Sequence, residues 1–184
     1  MNIAVIYKSK YGSTKQYAQW IANELDCQMF ERSDISPKEL SQFDLVIYGG
    51  GLYAGAIDGV GLVAKNPPKQ FIVLAVGLTS PETLNHADIL NRNIPQNLRT
   101  QTKLFYLRGV LDYERLKFFH KLGLKVLKTM LSKKTPETRT EDEKMMIEAV
   151  GEKLDFTDKD SIAPIVEYVR SIEALAQDRA NGRK

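Results

Sequence analysis

The stretch "NIAVIYKSKYGSTKQYAQWIANEL", residues 2–25, decides the fold. Its first part, residues 3–6, is continuously apolar. Ser9, Lys10, Tyr11, Gly12, Ser13 and Thr14 then make a turn crowded with hydroxyls, and beyond it Tyr17, Trp20, Ile21 and Leu25 recur on one helical face. A strand therefore passes through a tight turn into an amphipathic helix, and the pattern repeats along the chain. Residues 2–7, 27–31, 44–49, 70–76 and 103–107 read as five strands, several of them apolar without interruption, as strands buried on both faces are. Helical patterns cover residues 13–25, 36–40, 57–64 and 81–93, and a last helix covers 161–176. Strand alternating with helix makes an α/β domain, a doubly wound parallel sheet with helices on both faces.

In such a sheet, ligands bind at the carboxyl ends of the strands, and three loops there carry signals. The turn from Ser9 to Thr14 opens a helix whose first amides have no intrahelical partner and whose dipole favours negative charge. Hydroxyls on Ser9, Ser13 and Thr14 add donors, and Gly12 lets the backbone approach an oxyanion closely, so the turn suits a phosphate. The plainer reading also stands, in which Ser13 caps a helix and Gly12 makes a turn. The Gly-Lys-Ser/Thr ending of a Walker loop and the three spaced glycines of a dinucleotide fingerprint are absent from this turn. After the third strand comes "YGGGLYAGAIDG", residues 48–59, in which the glycines make a loop able to lie against a flat ligand. Gly51, Leu52, Tyr53, Ala54 and Gly55 supply small residues and one aromatic face. Gly50, Gly51 or Gly55 is expected to turn a backbone group toward that ligand. After the fourth strand, Gly77, Leu78 and Thr79 form another small polar edge. Together the loops suit a mononucleotide with a tricyclic base.

Residues 109–157 break the alternation: nearly fifty residues stand where a few would connect the fifth strand to the last helix. Residues 113–131 are helical in pattern, 133–142 a polar loop, and 143–150 a short helix. Between Arg115 and Lys134 lie seven cations and no acid, although the whole chain carries a net charge of only +3. Two roles fit this segment. Its apolar side, Leu116, Phe119, Leu122, Val126 and Met130, enters a membrane interface while the lysines meet anionic headgroups, or that side packs on the sheet edge or beside the ligand-binding loops and the lysines are solvated. Nucleic acid is excluded as a partner by the net acidity of the rest and by the adjacent, unspaced Phe118 and Phe119.

The 184 residues, 43% apolar and 27% charged, suit one domain over residues 1–177, with the insertion at 109–157 and a polar, frayed tail at 178–184. The chain enters its first strand without a basic, apolar leader, and its single cysteine, Cys27, suits a reducing compartment; a cytoplasmic protein is expected. Docking of 113–134 would put it on the inner face of the membrane. His86 and His120 share no ligand spacing, so no metal is assigned.

Ser9 to Thr14, Gly51 to Gly55 and Gly77 to Thr79 together resemble the flavodoxin-like FMN-binding superfamily over almost the whole chain. The resemblance implies the strand order 2-1-3-4-5, FMN as cofactor, its phosphate on Ser9, Tyr11, Gly12, Ser13 and Thr14, and its rings against Leu52, Tyr53, Ala54, Gly55 and residues 77–79. Lys10 departs from it by placing a cation in the phosphate loop, and the run Gly49 to Gly51 replaces the usual small hydroxyl residue; both bear on how the flavin is tuned. Within the superfamily, "FYLRGVLDYERLKFFHKLGLKVLKTML", residues 105–131, and "LDFTDKDSIAPIVEYV", residues 154–169, are similar to the menaquinone-dependent protoporphyrinogen IX dehydrogenase family. Two functions follow from the resemblance. One is an FMN enzyme oxidising a porphyrinogen-like or other organic small molecule with a quinone as acceptor. The other is a single-electron carrier between redox protein partners. No catalytic residue is assigned.

Overall fold

The computed structural model describes residues 1–182. The chain runs through β1 (Ile3–Lys8), α1 (Ser13–Leu25), β2 (Gln28–Glu31), α2 (Pro37–Leu40), β3 (Leu45–Tyr53), β4 (Ala56–Ile57), α3 (Gly61–Lys65), β5 (Gln70–Gly77), α4 (His86–Asn93) and β6 (Lys103–Arg108). It continues through β7 (Val110–Asp112), α5 (Phe118–Ser132), α6 (Glu141–Glu148), β8 (Lys153–Asp155) and α7 (Ala163–Ala180).

The five long strands pair in parallel in the order β2-β1-β3-β5-β6, with Val5 opposite Met29 and Ile47, and Leu74 opposite Gly49 and Phe105. With the two-residue β4 set aside, this is the order 2-1-3-4-5. Side chains alternate across the sheet with period two. Val5, Ile47, Ile72 and Leu74 face Tyr17 and Ile21 of α1 and Ile165 and Val169 of α7. Ala4, Val46 and Val73 face Leu40, Val63 and Ile89 of α2, α3 and α4 on the other side. The chain leaves β1 toward β2 and returns to β3 on β1's other flank, so a crevice opens above the carboxyl ends of β1 and β3.

Several elements differ from the sequence reading. The glycine run Gly49 to Gly51 lies inside β3, paired with Leu74, Ala75 and Val76, and does not form a loop. Residues 57–64 are not one helix, because Ala54 and Gly55 reverse the chain with φ of 49° and 82°, and β4 then pairs back on β3 as a two-residue hairpin before α3 starts. Residues 81–93 divide into a 3-10 turn, Pro81–Thr83, and α4, which restarts where the Asn85 side chain accepts the Asp88 amide at 3.2 Å. In the insertion, Val110–Asp112 pairs antiparallel with Lys153–Asp155, and residues 113–117, expected to open the helix, form turns instead, so α5 begins only at Phe118. The segment 133–142 contains a 3-10 turn at Pro136–Thr138, and α6 begins at Glu141 because Thr140 and Glu143 cap it reciprocally. Helix α7 extends to Ala180, into the stretch expected to fray; of the tail, residues 183–184 lie outside the described residues.

The insertion is a satellite layer with its own small core of Leu111, Tyr113, Leu124 and Ala149. Asp142 ties it to the loop after β5, accepting the Ser80 amide at 2.9 Å and the Thr83 hydroxyl at 2.7 Å. A second tie comes from α1. The buried Tyr17 hydroxyl donates to the Arg108 carbonyl at 2.7 Å and accepts the Asp158 amide at 3.1 Å, clasping the points where the insertion leaves and rejoins the sheet. Tyr17→Phe strands both backbone groups at a part-buried site. It should lower stability by about 1–3 kcal/mol in urea unfolding and speed amide exchange in residues 109–157 more than in β3.

Candidate functional site

A cleft of about 530 Å³ lies above the carboxyl ends of β1, β3 and β5, within the size range of small-molecule sites. Its floor is the β1–α1 turn. Gly12 holds φ 102° and ψ −31°, a backbone that side-chain-bearing residues adopt only with strain, and this conformation lets α1 start directly under the cleft. No side chain caps α1 and no acid occupies its first turn, so its amide end is left for another acceptor. Ser9, Ser13 and Thr14 line the cleft beside it, and the Ser9 hydroxyl accepts the Gly12 amide at 3.1 Å.

One wall is the β3–β4 hairpin. Its tip is braced from α4, where Arg92 donates to the Ala54 carbonyl and Asn93 to the Gly55 carbonyl, both at 2.8 Å. Gly50 is required by the hairpin's close return: a Cβ there would lie 2.7 Å from the Asp58 carbonyl oxygen. Gly50 and Gly51 are committed to the sheet ladder, and the Gly51 carbonyl also accepts the Asp58 amide at 2.9 Å, which leaves Gly55 as the glycine of the three at the hairpin tip. The Tyr53 ring folds over Gly51, where a Cβ would sit 2.7 Å from it. Burial pushes the Tyr53 phenol up to about 12, with the charges of Tyr11 and Asp58 adding to the shift.

The opposite wall is Val76, Gly77, Leu78 and Thr79. The Tyr106 hydroxyl donates to the Thr79 carbonyl at 2.8 Å and Arg108 to the Leu78 carbonyl at 3.3 Å, fixing this loop from β6. The insertion makes the roof: Leu111, Leu116, Phe119, His120, Leu124, Leu127 and Met146 line the cleft together with Gly109, Val110 and Gly123. His120 shares a hydrogen bond with Tyr11 through its Nδ1 and stacks on Tyr53 with ring centroids 6.3 Å apart.

Of the residues singled out in the sequence, Ser9, Tyr11, Ser13, Thr14, Gly51, Leu52, Tyr53, Ala54, Gly77, Leu78 and Thr79 meet in this cleft. Lys10, Gly12 and Gly55 do not line it. Lys10 turns away to pair with Asp58 at 3.2 Å while its ammonium lies 4.4 Å over the Tyr53 ring. Burial alone would raise the Asp58 carboxyl, but Lys10 and Lys8, the latter at 3.0 Å, outweigh it and hold the carboxyl below its ordinary value. The pair therefore persists at neutral pH and weakens only in acid below the usual carboxylate range. Gly12 shapes the floor without facing the cavity, and Gly55 sits behind the hairpin tip against Arg92. Sequence reasoning gives His120 no role in the site, and places Leu116 and Phe119 beside the ligand-binding loops only as one of two readings, since residues 109–127 reach the cleft only through the folding of the insertion.

Among the described residues no group of three or more His, Cys, Asp or Glu is placed to hold a metal ion, and no helix is long and apolar enough to cross a membrane. Cys27 is half-buried and away from the cleft, and burial, with Asp26 and Glu173, pushes its thiol up to about 11.

The chain is similar to an uncharacterised protein of Methanocaldococcus jannaschii, with 24% identity over 98 residues; the match covers 50% of this chain and spans 65% of that relative's length. Among solved structures it is similar to an archaeal flavodoxin, at 14% identity and a TM-score of 0.40, over 82% of this chain and 97% of the other. It is also similar to oxidised flavodoxin 1 of Bacillus cereus, at 16% identity and a TM-score of 0.43, over 58% and 83%. A flavoprotein of Lactobacillus acidophilus in complex with FMN matches at 11% identity and a TM-score of 0.40, over 58% and 91%. The description of the flavodoxin domain matches residues 4–139, most of the parallel sheet and the first part of the insertion. By that match, the chain belongs to the flavodoxin domain family.

Proposed function

We propose that this protein is an FMN-dependent oxidoreductase that takes reducing equivalents from a porphyrinogen-like or other organic donor and passes them to a quinone at an anionic membrane surface. The observation that carries the reading is the uncapped amide end of α1 under a cleft whose walls and roof are largely apolar. A dianionic ester suits the floor, because the donors there are backbone amides and the hydroxyls of Ser9, Ser13 and Thr14, with no carboxylate among the cleft-lining residues to repel it. A flat heterocycle suits the space between Tyr53 and residues 77–79. FMN, once bound, supplies electron and hydride transfer. The protein's residues do the rest. The loops from Ser9 to Thr14 and Gly77 to Thr79 orient the cofactor, while Leu111, Leu124 and Met146 keep water from the roof side and leave an apolar approach suited to a hydrophobic donor or a quinone.

The insertion favours the enzyme over the single-electron carrier, since it covers the cleft instead of leaving the cofactor edge open to a protein partner. Its outer surface supports the membrane reading. Of α5's apolar side chains only Leu124 is buried, while Phe118, Phe119 and Met130 are 73%, 79% and 63% exposed. Leu116 and Leu124 anchor the segment and, with Phe119 and Leu127, line the cleft, while Phe118, Leu122, Val126 and Met130 are exposed with Lys117 and Lys125 beside them. Each lysine near an anionic surface contributes about 1 kcal/mol.

Titration of cofactor-free protein with FMN should quench flavin fluorescence saturably, and riboflavin should bind far more weakly. The loaded protein should then oxidise protoporphyrinogen when menadione is added. Absence of saturable quenching overturns the flavin reading. Tight FMN binding without oxidation of the porphyrinogen leaves the flavin site standing and rejects that donor.

A further inference from the structure

We propose that His120 is the proton-exchanging group of the cleft: it takes the proton released when a donor is dehydrogenated and returns it when the acceptor is reduced. This rests on the flavin reading above. Among the cleft-lining residues, Tyr11, Tyr53 and His120 are the ones with ionisable side chains. The Tyr53 phenol, pushed up to about 12, cannot exchange a proton near neutrality. His120 differs from both tyrosines in carrying two ring nitrogens, one of which can take up a proton and return it while the other is held by Tyr11.

The placement suits that task. His120 sits in the first turn of α5, its amide donating to the Lys117 carbonyl at 2.9 Å. Its Nδ1 is engaged by the Tyr11 hydroxyl, and its ring lies nearly parallel to Tyr53, at 25°. Two side chains from the core loops thus fix one edge and one face of an imidazole carried by the insertion. The charges around it are cations already partnered or turned outward. Lys10 lies over the far member of the cluster, Tyr53, and is paired with Asp58; Lys121 is paired with Glu114 at 3.6 Å; Lys117, at the N-cap of α5, is exposed. Among the described residues no carboxylate lines the cleft, so charge appearing on a bound cofactor would act on the ring without a competing anion in the cleft wall.

The chemistry balances. Dehydrogenation of an organic donor removes two hydrogens, one leaving as hydride with the electron pair, to the flavin, and the other leaving as a proton, to His120. When a quinone reoxidises the flavin, the hydride and the proton stored on His120 complete the quinol. Between the two steps the cleft holds the extra negative charge of the reduced cofactor beside an imidazolium, so reduction must raise the proton affinity of His120, and by reciprocity protonation of His120 must favour reduction.

The chain contains two histidines, which makes the test internal. The ring Cε1–H signals of His86 and His120 are assigned with His86→Gln and His120→Gln and titrated from pH 5 to pH 9 by NMR. The titration uses full-length FMN-loaded protein, first oxidised and then reduced with dithionite. The midpoint of His120 should rise by about one pH unit on reduction, a tenfold gain in proton affinity, while that of His86 stays in place. In potentiometry the wild-type flavin potential should carry an extra pH dependence between the two His120 midpoints, and His120→Gln should remove it. A yellow protein in which the two histidines respond alike to reduction overturns the proposal while leaving the flavin site intact. A protein that binds no FMN overturns both.

Discussion

Ser13→Asp should weaken FMN binding by about a hundredfold or more, change riboflavin binding little, and raise the melting temperature of the cofactor-free protein. The three effects share one cause. Ser13 is the first residue of α1, next to a Gly12 cap that offers no acceptor, and the first turn contains no acid. An aspartate placed there compensates the exposed amides and the positive end of the helix dipole, which stabilises the free protein by about 0.3–1 kcal/mol. A phosphate ester seeking the same amides then meets a carboxylate instead of a hydroxyl. Two unit charges 4 Å apart near a protein surface repel by about 4 kcal/mol, and each 1.4 kcal/mol is tenfold in affinity, so the loss reaches two orders of magnitude even after partial screening. Riboflavin has no phosphate and escapes the repulsion. Fluorescence quenching with both flavins, combined with thermal unfolding of the apo form, checks all three. Parallel losses for FMN and riboflavin, or a lower melting temperature, would show that Ser13 serves the fold and that the amide end of α1 does not hold the phosphate.

How far the sequence carries such reasoning depends on where each signal resides. The βα alternation is local: the apolar runs of β1, β3 and β5 and the helical face of Tyr17 and Ile21 each lie within a short window, and they suffice for the sheet and its ligand-binding edge. The glycines after Tyr48 are ambiguous because composition does not distinguish a loop from a strand over which something packs closely. Here Gly50 makes room for the Asp58 backbone and Gly51 for the Tyr53 ring, so the run stays extended. Contacts of long sequence separation leave no local trace. Tyr17 meets Asp158 across 141 positions, and Tyr11 meets His120 across 109. The pairing of Val110–Asp112 with Lys153–Asp155 is likewise invisible, since each partner is three residues long and neither alternates clearly. The roof of the cleft was for this reason readable only as an insertion of unusual length, although its basic, amphipathic character was plain from the residues themselves.

The outward face of α5 leads to the other large expected effect. The full-length protein should co-sediment with phosphatidylglycerol-rich vesicles at low salt, and Phe118→Ser combined with Phe119→Ser should reduce the partition coefficient by about a hundredfold. A buried phenylalanine side chain is worth about 1.5–3 kcal/mol relative to an exposed one, and both rings stand well clear of the fold, although Phe119 also edges the cleft. Their removal costs the fold little, because α5 is held through Leu116, Leu124 and the Lys134–Glu143 ion pair at 2.5 Å. Circular dichroism close to that of the wild type would show that the variant is folded, and Phe118→Ser alone, whose ring does not line the cleft, should leave FMN affinity unchanged. Lysine replacement should behave differently: Lys125→Gln with Lys128→Gln should lower binding to anionic vesicles about tenfold or more, at about 1 kcal/mol per cation, and leave weak binding to zwitterionic vesicles unchanged. Raising the salt should erase the lysine effect and spare the phenylalanine effect, because screening acts on charges and leaves apolar burial intact. If the protein ignores vesicles of every composition and salt concentration, the membrane reading of the α5 face is overturned.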